Sequence, residues 1–299
     1  MIPMTEIEKL KDGVYEKVMS RRFAEVLREA LAEDQVRAEE EDVDAEEAVG
    51  YLSSYLQQVM RLCLKDIADR DEENSVDHQL ALTNELIASL AKKTEELGGG
   101  QEVANAPFLL RSLQHKKNTL LPRRWERPAT SLTRSFLFTN SKKDVSMVHE
   151  LTKEIASSDR IDFLISFIRF SGLQLLLPAL RLFTARGGHL RIVTTTYMGA
   201  TDPKAIEVLA SLPHTEVRIS YDVKETRLHA KSYMFYRESG YSTAYIGSSN
   251  LSHAAIAEGM EWNMKVTAQD QPHIIDKMSA TFETYWHSED FTPLRAPKR

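Results

Sequence analysis

Cysteine is nearly missing: the 299 residues hold one, Cys63. No intramolecular disulfide can form, and no thiolate cluster is available to hold zinc. That usage suits a reducing compartment and predicts a cytoplasmic protein. Long apolar runs are missing too. Segments such as 161–168 fall far short of the ~20 apolar residues of a membrane-spanning helix. The opening MIPMTEIEKLKDG carries acidic residues where a secretory leader would have its apolar centre. A soluble chain with no membrane partner is expected. Proline is absent between Pro3 and Pro107, which leaves that stretch free to form uninterrupted helices. There is no internal repeat and no Gly-x-x-x-x-Gly-Lys-Ser/Thr loop, so these residues encode no P-loop motor. Asp202, Asp222 and Glu225 lack metal-ligand spacing, and neither a metal nor another cofactor is expected.

What is present divides by charge. Residues 1–99 hold 12 Lys/Arg against 24 Asp/Glu (−12), and residues 100–299 hold 26 against 20 (+6), which gives the net −6. The first part reads as helices. Val14, Val18, Phe23, Val26, Leu27 and Leu31 recur at steps of three and four, as do Leu52, Leu56, Val59, Leu62 and Ile67, then Leu80, Leu82, Leu86, Ile87 and Leu90. Glu39, Glu40, Glu41 and Asp42 between the first two helices suit a solvated loop. Gly98-Gly99-Gly100 closes the third helix. A helical domain over 1–97 is therefore predicted, followed by a basic linker over 98–135. That linker holds Arg111, Lys116, Lys117, Arg123, Arg124, Arg127 and Arg134, with Trp125 among them. Basic residues around an aromatic can track a nucleic-acid backbone and stack a base, and they can equally form an exposed connector.

From residue 136 to 299 strands alternate with helices. Strands are predicted at 161–168, 189–196, 216–221, 228–236, 241–247 and 261–267. Helices are predicted at 172–185, 203–212, from Leu251, and at 271–287. Apolar strands separated by helices imply an α/β sheet covered on both faces.

Two short segments carry chemistry. In Leu228-His229-Ala230-Lys231, residues two apart on a strand share a face, so an imidazole and an ammonium project together. Such polarity on an apolar strand is costly unless it meets a polar site. In Gly247-Ser248-Ser249-Asn250 a strand runs toward a helix and offers backbone N–H groups, hydroxyls and an amide to an anion. If the two strands pair, both halves meet at one phosphate.

His229, Lys231, Gly247, Ser248 and Asn250 match the signature of the phospholipase D superfamily: His-x-Lys, four residues, Asp, then Gly-Ser-x-Asn. The chain resembles that superfamily with one departure, Tyr236 where the family has Asp. Some metal-independent nucleases of the superfamily use instead a Glu beyond the Asn, and Glu261 fits that role. The resemblance implies a phospholipase-D-like mixed sheet flanked by helices. It also implies hydrolysis of phosphodiesters without a metal: one histidine attacks phosphorus, a second protonates the leaving oxygen, and Lys231 and Asn250 hold the phosphoryl oxygens. Gly247, Ser248 and Ser249 would bind the substrate phosphate. With one motif in the chain, the second histidine implies a homodimer with both motifs at the two-fold interface.

Residues 187–202 and the ending 285–291 resemble a nuclease-like domain found ahead of DEAD/DEAH-type helicases in some bacterial proteins. A DNA nuclease of restriction or phage defence, with a helicase as partner or as part of a longer protein, is the function this implies. A non-catalytic nucleic-acid-binding module that docks a helicase, and a lipid phosphodiesterase, are the alternatives.

Overall fold

The computed structural model describes residues 15–33, 36–71, 73–94, 96, 100–104, 109–113, 126–139, 141, 145–221 and 228–294. Val14, Gly98, Gly99, Lys116, Lys117, Arg123, Arg124, Trp125, Asp222 and Glu225 lie outside the described residues. The chain divides into two compact units, Met1–Arg111 and Ser112–Arg299.

The first unit is helical. α1 (Arg21–Ala32) starts at Ser20, whose hydroxyl accepts from the Phe23 N–H at 3.2 Å. α2 (Ala45–Arg70) starts at Asp44, whose carboxylate accepts from the N–H groups of Glu46 and Glu47 at 2.9 Å each. Both caps satisfy orphan donors of a first turn. α3 (Ser75–Ala91) folds back on α2, and Gln79 donates its amide to the Leu64 carbonyl at 3.1 Å. Neither α2 nor α3 has a fully buried residue. Glu39 to Asp42, read as a solvated loop, are exposed and outside any helix.

The second unit is built on a sheet of eight strands in the order β1-β7-β6-β5-β2-β3-β4-β8. These are β1 (Phe136–Phe138), β2 (Arg160–Ile165), β3 (His189–Thr195), β4 (Thr215–Ser220), β5 (Lys231–Tyr236), β6 (Thr243–Gly247), β7 (Asn263–Thr267) and β8 (Thr292–Pro293). β2, β3 and β4 run parallel, and β5 turns the sheet antiparallel against β2. Helices α4 (Met147–Ser157), α5 (Phe170–Ala185), α6 (Pro203–Ala210) and α7 (Pro272–His287) complete the unit. Period-two alternation sorts the strands. Ile161, Phe163, Ile165, Tyr233, Phe235 and Tyr245 pack with α4, α5 and α6 on one face. Leu164, Val193, Met234, Ala244 and Val266 pack with Ile275, Phe282 and Trp286 of α7 on the other. The mixed sheet flanked by helices, preceded by an all-helical unit, is the fold class expected from the sequence.

Charge is buried between α4 and the sheet. Glu150 and Glu154 have no exposed surface, and neither does Lys265 of β7, whose ammonium lies 3.1 Å from Glu150 and 2.8 Å from Glu154. Ala129 donates its N–H to Glu150 at 2.7 Å. Tyr245 and Thr243 donate their hydroxyls to Glu154 at 2.8 Å each, and Arg237 pairs with the same carboxylate. Burial opposes the Glu154 charge, yet Arg237 and Lys265 outweigh it and hold this carboxyl below the ordinary range. Ala129 and Thr130, inside the stretch read as a linker, are thereby fastened to α4.

Several expected boundaries move, two of them at the residues singled out above. The strand predicted at 228–236 starts at Lys231, so His229 sits just before it. The helix expected from Leu251 does not form there. The Leu251 N–H donates to the Phe167 carbonyl at 3.2 Å, and its carbonyl accepts from the Arg169 N–H at 2.8 Å. This bridging keeps the chain extended through Leu251, and the turn that follows is a short π-helical one, Ala254–Glu258.

Candidate active site

Three segments converge: the four residues after β2, the start of β5, and the loop after β6. Ser166 donates its N–H and its hydroxyl to the Ala230 carbonyl, both at 2.9 Å. The Phe167 N–H donates to the Asn250 side-chain oxygen at 3.2 Å. The segment after β2 is thus hydrogen-bonded on one side to the His229–Lys231 stretch and on the other to Asn250 and Leu251.

His229 is exposed and Lys231 is buried, 6% accessible. The Lys231 ammonium lies 3.0 Å from each imidazole nitrogen and donates to the His229 carbonyl at 2.8 Å. The Phe167 ring stands edge-on to the imidazole at 6.1 Å between centroids and forms the apolar wall behind it. Burial lowers the Lys231 pKa, and the negative charge of Glu261 works against that shift. Glu261 therefore shares the electrostatic neighbourhood of Lys231 although it lies before β7 rather than in it. The same charge adds to burial in pushing up the Tyr233 hydroxyl, which donates to the Ser249 carbonyl at 3.0 Å.

The loop after β6 explains its own residue types. A side chain at Gly247 would place its first carbon 2.1 Å from the Trp262 carbonyl oxygen, so only glycine fits. Ser248 is exposed. Its N–H donates to the Trp262 carbonyl at 3.1 Å, and its hydroxyl accepts from the Trp262 N–H at 3.1 Å. Ser249, expected as a phosphate contact, has no exposed surface. Its hydroxyl accepts from the Asn263 amide at 2.7 Å and faces the Ala255 carbonyl at 3.3 Å. It braces the loop from below, because the alternation that presents Ser248 and Asn250 turns Ser249 inward.

Tyr236 stands at the far end of β5, five residues from Lys231, or about 17 Å along a strand. Its ring lies under the Arg160 guanidinium at 3.9 Å. The departure from the family pattern falls outside the His229 cluster. Among the described residues no group of three or more His, Cys, Asp or Glu could hold a metal ion.

Sequence reasoning missed Phe167, the imidazole's wall, and Trp262, which is 64% exposed and bonded through its backbone to Ser248. Met260 beside it is 96% exposed, and Ile246 and Met264, paired across β6 and β7, are 49% and 44% exposed. The signal for Trp262 was available: a bulky aromatic next to the candidate acid Glu261.

Residues 151–286 match the family described as cardiolipin synthase, PLD-like domain. No curated protein matches the chain in sequence. Solved structures similar to it include NucT from Helicobacter pylori, 19% identical with a TM-score of 0.43, which covers 54% of this chain and 99% of that one. The phospholipase D family member Nuc from Salmonella typhimurium is 17% identical with a TM-score of 0.42 and the same coverage. Phosphatidylserine synthase from Haemophilus influenzae is 10% identical with a TM-score of 0.39, over 54% of this chain and 40% of that one.

Proposed function

On the premise that residues 151–286 are a phospholipase D-like domain, we propose that the chain is a phosphodiesterase and, more finely, a nuclease cutting DNA without a metal. The observation that supports this best is the Lys231 ammonium set 3.0 Å from both nitrogens of the exposed His229, with Asn250 tied to Phe167 alongside.

In this reading an unprotonated His229 attacks phosphorus. The N–P bond forms as the P–O bond to the leaving strand breaks, and a second imidazole gives that oxygen its proton. The same second group then takes a proton from water, which attacks phosphorus and releases His229. Lys231, Asn250 and Ser248 hold the phosphoryl oxygens where negative charge builds up, while Ser249 positions the loop. Glu261 orients Lys231 by charge. The second imidazole is His229 of another copy, so the active species is a homodimer with the two motifs facing. A restriction or phage-defence role beside a helicase is the narrowest form of the proposal, supported by the resemblance of residues 187–202.

A second reading has its own observation. Met260, Trp262, Ile246 and Met264 present apolar surface beside Ser248, which suits the acyl region of a lipid phosphodiester. Among the described residues no helix is long and apolar enough to cross a membrane. Incubation with supercoiled plasmid in excess EDTA, wild type beside His229→Asn, is the deciding experiment. Cleavage by wild type alone supports the nuclease. No cleavage by either, with release of headgroup from phospholipid vesicles, replaces it with the lipid enzyme. Plasmid binding without cleavage of either substrate leaves a binding module.

A further inference from the structure

Two cations beside the site, Arg169 and Lys204, make no side-chain hydrogen bond and no ion pair among the described residues. Arg169 is the residue before α5 and Lys204 lies in the first turn of α6, and both are exposed. The Lys204 ammonium rests over the Phe170 ring at 4.1 Å, a contact that leaves its N–H groups open to an anion. Both residues are placed by the segment that carries Phe167. The Arg169 N–H donates to the Leu251 carbonyl at 2.8 Å. The start of α6 is fastened to the same stretch. The Thr201 hydroxyl donates to the Ser166 carbonyl at 3.2 Å, and the Asp202 N–H donates to the Ile168 carbonyl at 2.8 Å. The Asp202 carboxylate accepts from the Phe170 N–H at 3.3 Å, so the acid of this loop is bonded to backbone and to neither cation.

Direction follows from the backbone. Arg169 is extended, with φ −99° and ψ 143°, and the bridge between Ile168 and Leu251 holds the residue before it in the same way. Residues two apart on an extended chain share a side. Ile168 has no exposed surface and turns into the core, so Phe167 and Arg169 leave the segment on the opposite side. Phe167 is the wall of the His229 imidazole, and Arg169 stands about 7 Å further along that side. We infer that Arg169 and Lys204 hold the phosphate next to the one His229 attacks. The preferred substrate is then a strand with a charge on every link, and these two residues set the preference over an isolated diester. Their donors are open, so no ion pair has to be broken when a phosphate arrives. The inference rests on the phosphodiesterase reading and adds to it the part of the substrate that the site grips beyond the reacting phosphate.

The experiment compares hydrolysis of a fluorophore-labelled single-stranded oligodeoxynucleotide with that of bis-p-nitrophenyl phosphate, a diester with a single phosphate, by the full chain in excess EDTA. Two quantities are read: the ratio of kcat/KM on the strand to kcat/KM on the small diester, and the salt dependence of kcat/KM on the strand. In Arg169→Gln/Lys204→Gln the ratio is expected to fall at least about 10-fold, for the loss of charge-assisted bonds. The slope of log kcat/KM against log salt should become shallower by about 0.7, because one phosphate fewer is neutralised. Arg169→Lys/Lys204→Arg keeps both charges and should keep the ratio within about twofold. Arg181→Gln removes another exposed cation of α5, about 18 Å along the helix from Arg169, and should change neither quantity. Wild type that hydrolyses both substrates, with ratio and slope unchanged in Arg169→Gln/Lys204→Gln, overturns the inference. An equal fall in Arg181→Gln overturns it too, since surface charge at large then accounts for the effect. Wild type that hydrolyses neither substrate sinks the functional reading, and this inference falls with it.

Discussion

The second unit uses lysine beside acid twice, and the two clusters behave as opposites. Between α4 and the sheet, Lys265, Arg237, Glu150 and Glu154 are sealed from water, and each carboxylate is bonded by several donors. At the strand ends, Lys231 leans on an exposed imidazole and feels Glu261, with Ser248 and Asn250 at the surface beside it. The first arrangement is closed to water and densely bonded, although the buried Arg237 Nε has no partner among the described residues, and it specifies packing. The second leaves its imidazole and the Ser248 side chain exposed to solvent. The lesson is that residue type does not separate a sealed charge cluster from an open one; burial and partners do.

Substitutions can break this contrast at several points. The largest effect is expected at His229: His229→Asn should cost turnover on the order of 10⁴-fold or more, as for loss of a covalent nucleophile, with the melting temperature unchanged. Glu154→Ala should do the reverse. Removing one member of a buried ion cluster costs about 3–5 kcal/mol of stability by urea unfolding, while activity per folded molecule stays. The sign of its pH dependence follows from the lowered pKa of Glu154. The stabilisation is complete above the ordinary value of 4.5 and is lost only in more acid solution as the folded-state carboxyl takes up its proton. The gap between wild type and Glu154→Gln should therefore close at low pH, and a gap independent of pH would refute the assignment.

Lys231→Ala is expected to lower kcat by roughly 10²–10³-fold. Because burial lowers the Lys231 pKa, the wild-type rate should fall on the alkaline side below 10.5, and Lys231→Arg should remove that limb. If the exposed Trp262 ring stacks a base, Trp262→Ala should raise the KM for a nucleic-acid strand by the equivalent of about 1–3 kcal/mol and leave a small chromogenic diester untouched. The smallest effect is expected at Tyr236: Tyr236→Phe, about 17 Å from Lys231, should hold turnover within about twofold.

Much of this was legible in the chain. His229 and Lys231, two apart, and the Gly247–Asn250 run announced the cluster, because each type is improbable at an apolar strand end without a polar purpose. The helical first hundred residues and the alternating second part followed from period and proline placement. Ser249 was misplaced because alternation through a loop depends on how Leu251 is held, and that bond comes from Phe167, more than eighty residues earlier. Glu150 and Glu154 gave no warning of burial. Four apart on an amphipathic helix, they look like a solvated face until Lys265, over a hundred residues later, is placed opposite them. Trp262 could have been read from its place next to Glu261, and its backbone bond to Ser248 is what ties it to the loop.

The segment from Ser166 to Arg169 has a consequence for biosynthesis. It bonds to Ala230 on one flank and to Asn250 and Leu251 on the other, so the two halves of the cluster take their spacing from a stretch made long before either. A growing chain that has emerged only as far as Lys231 holds an imidazole and an ammonium with no amide opposite. The contacts that join the two halves therefore form only after residue 251 has been made.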